Sequence, residues 1–594
     1  MWTEDPGEWE TLPYPLERRI NINDKTIHLR RETIDEWVKR RYLAGKRRET
    51  KGVGDPWTDI AQYRGGYFQE NTIAGPDGIK IDLAGSSPDA TYISAVLLSP
   101  PEDLTALDFV NSERARAVRS QWPVKPLPPR GSSDLTVQLT QNKQKLTSLG
   151  LSIPAGSGSR TDIDLVSISP TKIKTIQADF NSDLIRPYIW AALRTLERLK
   201  ANSNLLQISE TRLVEDTTDL PVSSPHPRRL VLWIDISSQI PPGKYEGNIT
   251  IGWENGSTTL PVSLTVPNIS LPKAKYPAGF YLDEMIHLTW AFQSPSRRAA
   301  QIKCDLEFMT TLGLSSLAPP LQTPLGAKTQ EFMLDLKAAT NISPQRGQEI
   351  LAYTPAKRLK QNLGNQAAAY RLNQLIEDIN SQGLTAPYWS VADEPSNPHL
   401  GDGSVESWIK VLRDNSKNIK LAAQLNTPKD IELASLFDLV LINDGFDLTP
   451  RTVQAFKSKG PEVWLYNTGR IRETAAIGMR VTKATAYVQW HARMPTADPF
   501  DPTDGREGDV MMLLPSAEIC KKQPDINLAL LHMAEGLVDQ RWLLLLDQEK
   551  SREAQSLKRK LWKSSQNIWL KKGKRNNINL DSIRLKVQQY FSKQ

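Results

Sequence analysis

The sequence predicts a multidomain protein of α/β plus β class, with β-sandwich structure first and a (β/α)8, TIM-like barrel after it. Three observations carry this expectation. At 594 residues the chain exceeds what one hydrophobic core serves, since cores stop growing beyond about 250–300 residues. Up to Pro272, apolar residues fall in short β-branched runs that alternate with polar ones, as in strands with one buried face. Beyond it, continuous apolar runs alternate with helical patterns, the rhythm of a parallel sheet covered on both faces.

Residues 1–130 open with the charged helical stretch ETIDEWVKRRYLAGKRRETK and continue through YRGGYFQENTIAGPDGIKIDLAG, where a PDG turn separates short apolar runs. They read as a mostly-β accessory module. The Pro/Gly/Ser-rich VKPLPPRGSSD (124–134) marks its end. Residues 131–272 carry RRLVLWIDIS, GKYEGNITIGW and TTLPVSLTVPN, the last two joined by the turn signal ENGS, and predict an antiparallel sandwich. Residues 273–548 hold AGFYLDE, EILAYTP, APYWSVADE, KLAAQLN, LVLIND, EVWLYNTG and TAYVQWHA, with an eighth strand near LGLSSLAP (312–319). Eight such runs fit a barrel better than an open sheet. Residues 549–594 form a basic helical tail: from Lys550 onward thirteen Lys and Arg face two acids, so this tail holds +11 of a net +7 and the rest of the chain is at −4.

The tail places Leu557, Leu561, Trp562, Trp569 and Leu570 near helical spacing. Such a stripe more often packs on its own protein than on a membrane or a nucleic acid, and no nucleic-acid motif accompanies it, so no nucleic-acid partner is expected. No run of about 18 apolar residues is present, hence no membrane span. MWTEDPGEWE shows no export signal, which leaves the compartment open: periplasmic or secreted if a signal has been removed. Six scattered histidines without HExxH spacing, and Cys304 and Cys520 outside any CxxC, predict no metal, no cofactor and no disulfide framework, leaving stability to the cores.

The C-terminal ends of the predicted parallel strands gather Asp283, Tyr353, Asp393 with Glu394, Tyr466 with Asn467, and Trp490; Trp290 follows just beyond Asp283. In a barrel these ends form the active face. Asp and Asn are ordinary turn residues, and each aromatic has about even odds of being core. As a set, aromatic floors, carboxylates and amides suit a sugar pocket. Asp393 and Glu394 stand side by side where an apolar strand meets Pro395. Neighbours on a regular strand point to opposite faces, so the strand must end or twist for both acids to reach one ligand. Pro395 is expected to end the ladder and push Glu394 into an extended conformation.

The succession RRLVLWIDIS, IPPGKYEGNITI, VPNISLP, YWSVADEP, VWLYNTGR, TAYVQWHARMPTADPFDP, GDVMMLLPS and MAEGLVDQRWLLLL, over roughly residues 225–548, resembles glycoside hydrolase family 123 and its relatives with a DUF4091-type region. The last motif departs from it, with His532 where an Arg commonly precedes this helix. The resemblance implies a β-N-acetylgalactosaminidase-like enzyme acting by substrate-assisted retaining hydrolysis on a glycan or glycoconjugate. It makes Asp393 and Glu394 catalytic: Asp393 holds the acetamido N–H, and Glu394 protonates the leaving oxygen. Asp283, Trp290, Tyr353, Tyr466, Asn467 and Trp490 would bind substrate. Two alternatives stay open: a glycosidase on another sugar, with a separated pair such as Asp283 and Glu394, or a non-catalytic carbohydrate-binding or scaffold protein.

Overall fold

The computed structural model describes the chain except residues 4–16, 51–53, 64–65, 86–90, 92, 101, 104, 126–135, 140–145, 168–169, 201–202, 224–226, 255, 283–294, 343–348, 397–404, 495–497, 504–509, 517, 571–578 and 594. It is a mixed protein with several sheets, α/β in one part and β in another. Near the N-terminus Lys25–Arg31, Glu17–Ile22 and Ile81–Gly85 form a three-stranded antiparallel sheet.

A five-stranded sheet orders Pro221–Val222, Thr171–Phe180, Gly243–Trp253, Gly256–Val266 and Leu149–Ser152. A seven-stranded one orders Ile526–Asn527, Leu206–Val214, Ile185–Arg198, Arg228–Ile236, Gly158–Val166 and Thr136–Leu139, with Val124–Lys125 beside Leu206–Val214. Ile163, Leu193, Leu230 and Leu232 of the larger sheet meet Ile249, Ile251, Leu260 and Val262 of the smaller in one buried cluster. Trp253 pairs with Gly256 across the ENGS turn. The pairing is not wholly antiparallel, however: Leu149–Ser152 and Val124–Lys125 each run parallel to their partners. Both partners lie much further along the chain than the dozen or so residues that a parallel connection needs.

A second seven-stranded sheet, entirely parallel, orders Ala278–Phe280, Tyr487–Gln489, Glu462–Tyr466, Leu439–Ile442, Leu421–Leu425, Tyr388–Asp393 and Leu351–Ala352. Its side chains alternate between two cores. Ala422, Leu439, Leu441, Trp464, Tyr466 and Val488 enter one; Leu421, Ala423, Val440, Ile442, Val463 and Leu465 enter the other, against helices such as Asn365–Ser381 and Val405–Asn415. The strands therefore read as continuous apolar runs. Segment 315–318 touches both outer strands: Ser315 N–H donates to Ala278 C=O (2.8 Å), Leu282 N–H to Ala318 C=O (2.8 Å), and Leu351 N–H to Leu317 C=O (2.7 Å). Gly279 permits this approach, because a Cβ there would lie 2.0 Å from the Ser315 carbonyl oxygen.

Helix Leu528–Gln548 sits between the two bodies of structure. Its Glu535 accepts from Arg160 (2.8 Å) on strand Gly158–Val166, and its Asp539 from Arg472 (2.9 Å). Arg584 of helix Leu580–Phe591 lies 3.3 Å from Asp539. Helix Arg552–Leu570 buries Ala554, Leu561, Ser565 and Trp569, while Leu557 and Trp562 pack against the same core and Leu570 stays exposed. Among the described residues no helix is long and apolar enough to cross a membrane.

Cys304 and Cys520 are joined in a disulfide across a sequence separation of 216, with Cα atoms 5.2 Å apart, which corrects the expectation that cores act without a covalent tie. No local spacing announces it, because the two residues meet only through tertiary structure. Reduction, or Cys304→Ser, is expected to destabilise the fold by about 2–4 kcal/mol, read as a lower urea midpoint with and without reductant. An unchanged midpoint would mean that the bond ties together parts already held.

Candidate active site

Strand Tyr388–Asp393 carries a register shift between Ser390 and Ala392. It ends on Asp393, opposite Gln424 of the next strand. Glu394 N–H still donates to Gln424 C=O (2.9 Å), so the ladder lasts one residue longer than expected. Glu394 then adopts φ 45°, in the left-handed region. The expected extended conformation is thus corrected: the turn is made at Glu394 itself, at a strain cost of about 1–3 kcal/mol, and such strain clusters at functional sites. Two departures from regular strand, the bulge and the left-handed residue, replace the alternation that would separate the acids. Ser396 donates to Asp430, whose other oxygen accepts the N–H groups of Asn426 and Thr427 (both 3.0 Å), which fastens the chain just past the acids.

Each acid meets a tyrosine. Tyr353 donates its hydroxyl to Asp393 Oδ2 at 2.7 Å. Tyr466, at the end of Glu462–Tyr466, approaches Glu394 Oε1 at 3.5 Å and receives a hydrogen bond from Asn443 Nδ2 at 3.1 Å. Burial first, and then the charge of Glu394, push the Tyr466 phenol far up from its ordinary value, so it stays protonated as a donor. Asn443 is set in turn: its Oδ1 accepts from Gly445 N–H (2.9 Å), where a Cβ would stand 1.9 Å from the Asn426 carbonyl.

Trp490 is half-buried, its ring edge-on to Tyr281 (5.3 Å) and to Tyr353 (5.4 Å), and those tyrosines are 4.9 Å apart. Three rings thus stand together beside Asp393. Asn467, at φ 45°, uses its side-chain oxygen to accept Trp490 N–H (2.8 Å), and so positions the tryptophan. The structure therefore brings together Tyr353, Asp393, Glu394, Tyr466, Asn467 and Trp490. Asp283 and Trp290 lie outside the described residues. Arg470, three residues beyond Asn467, stacks on Trp569 (4.1 Å) and donates to its carbonyl.

Sequence reasoning missed Tyr281 and Gln424. Gln424 Nε2 reaches the Tyr281 hydroxyl (3.4 Å), and Ser390 donates to Gln424 Oε1 (2.8 Å). The available signal was a glutamine inside the apolar run KLAAQL, since a buried amide has to find partners. Among the described residues no group of three or more His, Cys, Asp or Glu is placed to hold a metal ion.

At the opposite ends of the same strands, Glu349 and Glu462 share Tyr388, whose hydroxyl contacts Glu349 (3.1 Å) and Glu462 (3.3 Å); Lys420 lies 3.3 Å from Glu349. Burial, and then the Glu462 charge, hold the Glu349 carboxyl above its ordinary range. A raised folded-state pKa favours folding while the proton is held, and that contribution is lost as pH rises from the ordinary glutamate value through the raised one. Glu349→Gln keeps a neutral group there, so it is expected to be more stable than the parent near pH 7, with the difference closing below about pH 4. Urea midpoints at both pH values check this; a variant weaker at neutrality would show that the Lys420 pair outweighs the like charge.

No family model matches the chain, and no curated protein matches it significantly. Among solved structures, a family 123 glycoside hydrolase from Clostridium perfringens, described for glycolipid glycan hydrolysis, superposes with a TM-score of 0.56 at 13% identity, covering 78% of this chain and 98% of its own. That likeness is one of fold. A GH10 xylanase with a bacterial Ig-like domain from termite gut (TM-score 0.26, 10% identity, 66% and 99% covered) and a family 2 enzyme from Bacteroides cellulosilyticus (0.25, 10%, 84% and 57%) also align, too loosely to carry an argument.

Proposed function

We propose that the chain is a glycoside hydrolase that cleaves a β-linked N-acetylhexosaminide, N-acetylgalactosaminide favoured, using the substrate's own acetamido group as nucleophile. The observation that carries this reading is the adjacent pair Asp393 and Glu394 at a strand end, each with a tyrosine hydroxyl on it, beside the rings of Tyr281, Tyr353 and Trp490. In this reading the parallel sheet and segment 315–318 close into a (β/α)8 barrel, preceded by a β-sandwich, with boundaries near residues 130, 272 and 548. The acids then lie on the catalytic face. The fold shared with a family 123 enzyme supports the assignment.

The chemistry follows from the two environments. Glu394 gives its proton to the glycosidic oxygen as the C1–O bond breaks, while the acetamido oxygen bonds to C1. Asp393, held by Tyr353, accepts the acetamido N–H and balances the positive charge of the oxazolinium ring. Water then attacks C1 as the C1–O bond to the acetamido oxygen breaks and the Glu394 carboxylate takes a proton from that water, which restores the acid and the acetamido group and releases a sugar of retained configuration. The ring wall offers flat apolar surface for a sugar face. A disulfide persists in an oxidising compartment, and Cys304–Cys520 supports a periplasmic or secreted enzyme in this reading.

The test is chromophore release from aryl β-glycosides of N-acetylgalactosamine, N-acetylglucosamine, galactose and glucose. Turnover confined to the acetamido sugars, and inhibited by a thiazoline that mimics the cyclised acetamido group, is the expected result. Hydrolysis of the plain hexosides at similar rates would move the nucleophile to a protein carboxylate.

A further inference from the structure

We propose that a cavity in the N-terminal part of the chain binds an oligosaccharide bearing carboxylate or sulfate groups. The cavity measures about 770 Å³, within the size of ligand pockets. The run from Lys39 to Arg48 brings four guanidiniums to it, those of Arg40, Arg41, Arg47 and Arg48. Glu49 also lines the cavity and is held by Arg228 (3.0 Å), so the carboxylates facing the four arginines match only part of their charge. Glu32 takes Arg40 through two bonds of 2.9 Å. Asp498 pairs with both Arg41 (2.9 Å) and Arg48. Arg47 is exposed, donates to the Lys39 carbonyl, and has no carboxylate partner among the described residues. A planar fork of donors at an open cavity edge is what oxyanions select.

The remaining wall decides what carries the anion. Thr58 is exposed there, and Asp55 and Asp59 line the cavity with it; Asp55 is paired with Arg119 (2.7 and 3.0 Å), while Asp59 accepts the Asp55 N–H at 3.1 Å. Carboxylates beside the arginines repel a dense polyphosphate but accept hydroxyl protons. Donors for an anionic group and acceptors for hydroxyls in one cavity fit an acidic sugar chain. This inference stands whether or not Glu394 is catalytic, since it uses none of the residues around the acid pair.

Affinity electrophoresis of the full chain in native gels containing dextran sulfate, alginate, neutral dextran or polyphosphate tests it. Retardation by dextran sulfate or alginate is expected, with none by neutral dextran and less by polyphosphate; which of the two retards identifies the anionic group. Arg47→Ala should weaken that binding about tenfold or more, and Thr58→Tyr, which fills the cavity from an exposed position, should do the same with an unchanged thermal midpoint. Lys560→Ala in the basic tail should leave it as in the parent. The proposal is overturned if neither polysaccharide binds, if polyphosphate binds as tightly, or if both cavity variants bind like the parent.

Discussion

Under the proposed function, Glu394→Gln is expected to lower kcat/KM on an aryl β-N-acetylhexosaminide by roughly 10²–10⁴-fold, the range that positioned proton transfer supplies. Glutamine keeps the size of the side chain and can still accept from Tyr466, 3.5 Å from the carboxylate, but it has no acidic proton to give. The loss should deepen as the leaving group becomes more basic, because a nitrophenolate departs with little help and an alcohol does not. Asp393→Asn is the companion measurement. It keeps an acceptor for Tyr353 and removes the charge proposed to face the oxazolinium ring, so its loss should depend little on the leaving group. If Glu394→Gln turns over poor leaving groups at the parent rate, the proton donor is another group.

Asp539→Ala is expected to destabilise the fold by about 3–5 kcal/mol, the cost of breaking a buried ion pair from one side. Asp539 is 3% exposed and lies between Arg472 and Arg584. Burial pushes its carboxyl above the ordinary range while the two arginines pull it down. Without it, both guanidiniums are left to Glu535 (3.7 and 3.9 Å), which already serves Arg160, and to Asp581 at the exposed edge. An exposed pair such as Lys410 with Asp414 should change stability by less than about 1 kcal/mol when broken. Urea midpoints of the two variants against the parent separate the cases. Equal, small effects would mean that water reaches the Asp539 network.

Where local pattern and tertiary structure agree, the sequence was legible. KLAAQLN, LVLIND and EVWLYNTG are short apolar runs with helical stretches between them, and each is a strand of the parallel sheet. The tail stripe was legible in the same way, since Leu561 and Trp569 repeat at helical spacing and are buried. At the site, the acids were conspicuous because two charges end an apolar run. Their support was not. Tyr353 reaches Asp393 across 40 residues and Asn443 reaches Tyr466 across 23, distances at which periodicity carries no information. Glu394 reversed a local rule outright: its place before proline predicts extended backbone, whereas the left-handed turn is imposed by what surrounds it.

Strand Ile526–Asn527 closes the edge of a sheet whose neighbouring strand, Leu206–Val214, lies roughly 300 residues earlier. On the ribosome, at about 5–20 residues per second, that edge waits about 15–60 s for its last strand. Throughout that interval Arg212 and Leu213 present unpaired backbone at an open sheet edge, a template for another chain. Yield in a heterologous host should therefore depend on chaperone supply and slow, cool synthesis more than on the stability of the finished protein.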